Sequence, residues 1–177
     1  HRDLHECLGH GSGRLRQGTD PDALKAYGNT IEEARADLFG LYYIADDKLI
    51  ELGLVPNNEA YKSQYYTYMQ NGLLTQYVRI KLRSDIEEAH IKNHALIAKW
   101  ALAFDSDHSI VNIIERDGKH YVEIKDYVAL RDIFAKELHE IQRIKSEGDF
   151  DAAKNLVEKY GIKLDPTLHR EVLHRYN

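Results

Sequence analysis

Apolar residues recur along most of this chain at the three-to-four spacing of a helix face, and in one stretch they change to the spacing of strands. The pattern predicts a short helix over residues 2–11, followed by a Gly11-Ser12-Gly13 turn. Residues 14–29 carry Gly18, Pro21 and Gly28 and read as a loop with a short helix near 22–27. A long amphipathic helix is expected over 30–52, with Leu38, Leu41, Tyr42, Ala45 and Leu49 on one stripe and Gly53 as its stop. Two more helices are expected over 59–83 and 85–104; the first contains Gly72, at a cost of about 1 kcal/mol relative to alanine. Segments 109–115 and 119–125 are rich in β-branched residues and flank Asp117-Gly118, a two-residue hairpin signal. Helical spacing returns over 126–148, 149–161 and 166–176. The expected fold class is mainly α, a helical lobe with one β-hairpin near residues 109–125, built as a single domain over 1–177.

Composition changes this picture little. Of 177 residues, 43% are hydrophobic and 30% charged, enough to bury a core. A net charge of −5 gives no electrostatic case for nucleic acid or an anionic membrane. No apolar run approaches the roughly 20 residues that span a bilayer. The one cysteine, Cys7, excludes an internal disulfide framework and suits a reducing, cytoplasmic setting. The chain opens without an initiator methionine, immediately before its most chemically loaded segment, and is read as part of a longer protein.

That segment is His5-Glu6-Cys7-Leu8-Gly9-His10. Two histidines on one helix can hold Zn²⁺ at about 2.0–2.1 Å if both rings face one point. In the His-Glu-x-x-His pattern the ligands are four apart and only about 40° separates them. Here they are five apart, which opens about 140° on a regular α-helix. A single turn with i→i+5 bonding returns both rings to one face, so a local π-type bulge is expected, with Gly9 leaving room for it.

A catalytic zinc site needs a third protein ligand and an open position. Glu32-Glu33-Ala34-Arg35-Ala36-Asp37 offers three carboxylates on the next helix. Glu33 is the candidate third ligand for one zinc per chain; Glu32 and Asp37 are then placed to accept hydrogen bonds from the far ring nitrogens of the histidines. Glu6 is the candidate general base for water activated at the metal. Plainer readings stand beside this one. Thr30-x-x-Glu33 could be a capping box, and acids early in a helix favour its dipole. Cys7 reads as a small buried hydrophobe off the ligand face. Tyr61, Tyr65, Tyr66, Tyr68 and Tyr77 read as core residues with their hydroxyls directed to water.

The two motifs together resemble the dipeptidyl peptidase III family of zinc exopeptidases, which pairs His-Glu-x-x-Gly-His and Gly-Ser-Gly with a downstream Glu-Glu-x-Arg-Ala-Glu helix. The similarity extends through Ala89-His90 and the Lys145-Ser146-Glu147-Gly148-Asp149 turn. It implies the helical lobe of a two-lobed zinc peptidase, with His5, His10 and Glu33 as ligands, Glu6 as base and His90 stabilising the oxyanion. It also implies dipeptide release from the free N-termini of short peptides, with an N-terminal lobe that this chain lacks. Asp37 stands where the family has glutamate, so its shorter side chain is expected to reach a histidine through water. His94 stands where a substrate-contacting arginine is expected, and is the candidate substrate-binding position. The competing reading is an inactive zinc-binding or interaction module; an endopeptidase with the same ligands is a third.

Overall fold

The computed structural model describes residues 1–176. A short turn of helix, α1 (Arg2–Leu4), runs directly into a π-turn (His5–His10). After a loop and a 3₁₀ turn (Lys25–Tyr27) comes α2 (Gly28–Tyr43), which lies at the centre of the molecule and touches the π-turn and four of the later helices. The remaining elements are α3 (Asp47–Glu51), α4 (Ala60–Leu73), a 3₁₀ turn (Thr75–Arg79), α5 (Ala89–Phe104), β1 (Val111–Arg116), β2 (Lys119–Ile124), α6 (Tyr127–Glu147), α7 (Phe150–Val157), a second π-turn (Glu158–Ile162) and α8 (Pro166–Tyr176). The fold is mainly α with one antiparallel hairpin, as the pattern predicts.

The hairpin pairs Val111 with Ile124 through Arg116 with Lys119, leaving Asp117 and Gly118 as a two-residue turn. Both turn residues have positive φ, 52° and 70°, which matches the right-handed twist of the flanking strands. α6 starts where Asp126 caps Ala129 N and ends at Gly148 in the left-handed region. These boundaries were readable from turn chemistry.

Helix boundaries differ from the expected ones most at three places. The predicted helix over 30–52 stops at Tyr43, because Asp46 adopts an extended backbone and its carboxylate accepts from Lys48 N, starting α3 afresh. The predicted helix over 59–83 stops at Leu73. Tyr77 donates its hydroxyl to Gly72 O, and the buried His169 ring bonds Tyr77 O and Ile80 O, so the chain is drawn into a 3₁₀ turn. Residues 85–88 stay outside any helix, with Ile86 N donating to Ile162 O and Glu88 extended, and α5 begins only at Ala89.

The core lies between α2, α4, α5 and α6, around Leu38, Leu41, Tyr65, Met69, Leu96, Ile97 and Phe134. Gly72 has a tertiary reason to be there. A Cβ at that position would strike His94 O and lie 2.7 Å from Ala98 Cβ, so glycine lets α4 press against α5. Among the described residues no helix is long and apolar enough to cross a membrane.

Candidate metal centre

The five-residue histidine spacing produces the expected local geometry: His5 to His10 is a π-turn, and the two rings sit 4.7 Å apart at 85°. Gly9 is needed here, though less for the turn than for its neighbour. A Cβ on it would lie 2.6 Å from Ala36 Cα, so glycine allows the π-turn to rest on α2.

α2 begins at Gly28, two residues before Thr30, so Thr30 is a buried residue inside the helix and not its cap. Glu32 and Glu33 therefore lie beyond the first turn, and neither the capping-box nor the dipole reading accounts for them.

The ring nitrogens divide into two sets. His5 Nδ1 donates to Asp37 Oδ1 at 2.7 Å and His10 Nδ1 donates to Glu32 Oε1 at 2.9 Å. Asp37 thus reaches His5 directly; the expected bridging water is unnecessary because the π-turn packs close against α2. The other nitrogens face Glu33: His5 Nε2 is 3.6 Å from its Oε2, and His10 Nε2 is 3.8 Å from its Oε1. One donor atom from each of His5, His10 and Glu33 lies within 4.8 Å of the others. Ligands held tetrahedrally at about 2.0–2.1 Å from zinc are about 3.4 Å apart, so the set needs little contraction. Glu33 Oε2 is buried without a hydrogen-bond partner. Two imidazole lone pairs and an unpaired carboxylate oxygen converging on one point repel one another unless a cation sits among them, and the donor set fits zinc.

The supporting carboxylates are held strongly. Burial works to raise the Asp37 pKa, but donors from His5, His94 and Tyr68 outweigh it and keep the carboxyl below its usual range. Tyr68 donates at 2.9 Å, Asn93 at 2.6 Å, and His94 Nε2 lies 3.2 Å away. Burial of Glu32 is likewise outweighed, by Arg35, Lys145 and His10, which bring its pKa down to about 2. The hydrogen bond to Asp37 raises His5, over the opposing effect of burial. A bound metal would compete with that proton.

Glu6 is exposed and lines a cavity of about 440 Å³ together with His5, Asp37, Tyr68, His90 and His94. His90 is 64% exposed, with Nδ1 3.5 Å from Glu33 Oε2, so α5 brings it to the edge of the same centre. His94 lies deeper: its Nδ1 meets Gln76 Oε1 at 2.9 Å while Nε2 faces Asp37. Cys7 is exposed rather than buried, since the π-turn swings it away from α2.

Several participants escaped the sequence reading. Arg35 is fully buried; it holds Glu32 through two hydrogen bonds of 2.9–3.0 Å and donates to Gly9 O at 2.6 Å, tying α2 to the π-turn. A cation three residues after Glu32 on a helix that must also bury Ala34, Ala36 and Leu38 was the available signal. Asn93 is a lone amide among apolar positions of α5. Tyr65, Tyr68 and Tyr77 are core residues, Tyr61 packs half-buried against them and Tyr66 is exposed on the outer face of α4; the buried hydroxyls of Tyr65, Tyr68 and Tyr77 donate to Leu41 O, Asp37 and Gly72 O instead of water.

The sequence model of Peptidase family M49 matches residues 19–172. The chain belongs to this family. Two solved structures are similar to it: dipeptidyl peptidase III from Caldithrix abyssi, 25% identical with a TM-score of 0.71, and dipeptidyl-peptidase III from Corallococcus sp. strain EGB, 26% identical with a TM-score of 0.67. Each alignment covers 98% of this chain, but the chain spans only 31% and 30% of those proteins. No curated protein matches it.

Proposed function

We propose that this M49 chain is the metal-bearing helical lobe of a zinc-dependent dipeptidyl peptidase, acting on short peptides near their free N-termini. One observation carries the reading: the Nε2 atoms of His5 and His10 and the unpartnered carboxylate of Glu33 converge while Asp37 and Glu32 hold the opposite ring nitrogens. His5, His10 and Glu33 would hold one zinc ion. Bound there, it would supply Lewis acidity toward the scissile carbonyl and toward water.

The chain's own residues do the rest. Asp37 and Glu32 fix the tautomers that leave Nε2 free and make both imidazoles better donors to a metal. Glu6, an exposed carboxylate on the same turn, takes the proton of the attacking water and passes it to the leaving amine. His90, at the rim, donates a hydrogen bond to the oxygen that gains charge. His94 supports Asp37 at the cavity wall and lies within reach of a bound peptide. The remaining two thirds of the relatives' length would supply an N-terminal lobe that closes the other side of the peptide cleft.

The Glu6→Gln variant tests this. It should retain one zinc per chain and lose peptide hydrolysis by about 100-fold or more. Undiminished dipeptide release from an unblocked peptide, with zinc bound, would remove Glu6 as the base.

A further inference from the structure

The cavity in front of Glu6 has a second wall. α4 lines it with Gln64, Thr67 and Asn71, opposite the π-turn that carries His5. Gln64 and Thr67 are exposed. Asn71 is half-buried and its amide is oriented: Thr75 Oγ1 donates to Asn71 Oδ1 at 2.6 Å, much closer than Gln70 O at 3.3 Å. With its carbonyl oxygen engaged, the Nδ2 group is left to serve the cavity as a donor.

These positions are related by i, i+3 and i+7, so they form one stripe about 10.5 Å long on the helix. An extended peptide advances about 3.3 Å per residue, so the stripe spans about three residues. That is enough to contact two residues before a cleaved bond and one after it. The groups are neutral amides and a hydroxyl. They match the dipoles of a peptide backbone without selecting a charged or apolar side chain.

We propose that Gln64, Thr67 and Asn71 are a backbone-binding rail for the peptide, with Asn71 Nδ2 donating to a substrate carbonyl; this rests on the peptidase reading above. The rail sets substrate position and does not touch the metal. Its variants therefore act on peptide affinity and KM, leaving zinc content unchanged.

Binding can be separated from turnover in the zinc-loaded Glu6→Gln protein, by calorimetry with an unblocked tetrapeptide. Adding Asn71→Asp, which removes the donor with almost no change in shape, is expected to weaken binding about ten-fold. Thr75→Val, which only frees the amide to rotate, is expected to weaken it about three-fold. Gln64→Ala, at an exposed position where folding is not at risk, should weaken it by about two- to five-fold. Zinc content and melting temperature report folding in each case. Unchanged affinity in the Asn71 and Gln64 variants, with zinc retained, overturns the rail. Asn71-dependent binding in a protein whose parent hydrolyses nothing leaves the rail standing and removes the hydrolytic reading. Absence of peptide binding with zinc in place removes both.

Discussion

Asp37 on α2 and Glu137 on α6 are carboxyl groups sealed inside the same protein, 5% and 0% exposed. Asp37 is met by His5, Tyr68, Asn93 and His94, and those donors hold it ionised against the effect of burial. Glu137 has no hydrogen-bond partner on either oxygen, and burial pushes its pKa well above the usual range. The first is a buried charge that orders everything around it; the second is a buried acid kept neutral for want of partners. Around the candidate metal centre, polar groups are collected until the supporting carboxylates are answered, while the Glu33 oxygen is left for a cation to answer. In the core behind it, the same residue type is simply enclosed.

Three measurements sharpen or break this contrast. The largest effect belongs to Arg35, the fully buried cation on the partnered side. Arg35→Met removes the shortest hydrogen bond to Gly9 O and the guanidinium partner of the Glu32 carboxylate, and should cost about 3–5 kcal/mol in urea unfolding of the metal-free protein. A loss below about 1 kcal/mol would mean that Lys145 and His10 hold Glu32 unaided. Next is Asp37→Ala, which should lower zinc affinity about 10- to 100-fold in competition with a chelator, since His5 loses the group that orients its ring. Unchanged affinity would make Asp37 as idle as Glu137.

At Glu137 itself the effect is smallest near pH 5 and is read as a slope with pH. Its pKa is raised on folding, so the folded state holds a proton that the unfolded state gives up near pH 4.3, its usual value of about that size. Its contribution to stability is therefore complete below that pH and is lost as pH rises toward the folded pKa, at up to about 1.4 kcal/mol per pH unit. Glu137→Gln should flatten the fall in stability between pH 5 and pH 8. Identical pH dependence in the two proteins would place a hidden donor beside Glu137 and erase the difference from Asp37.

Much of the architecture could be read from local chemistry. Asp117-Gly118 marked the hairpin, Asp126 and Gly148 bounded α6, and the five-residue interval between His5 and His10 demanded a π-turn. The breaks at Tyr43 and Leu73 were missed for different reasons. Asp46 is a cap within an unbroken apolar stripe, so its signal was masked. The end of α4 depends on Tyr77 and on His169 from a helix about ninety residues away. At the site, the ligand candidates and their supporting acids were legible as motifs, whereas the reach of Asp37 and the burial of Arg35 were not. Gly9 was read as easing the turn, but it serves the contact with Ala36 on α2.

Residue spacing alone determined which nitrogens and carboxylates could share a face, because helix and π-turn periods are set by backbone hydrogen bonding within a few residues. Only the tertiary structure decided which of those groups are answered. The π-turn, α4 and α5 all had to settle on α2 before Asp37 could gather four partners while Glu137 found none. Burial and long-range pairing are properties of packed elements, and no local pattern encodes them.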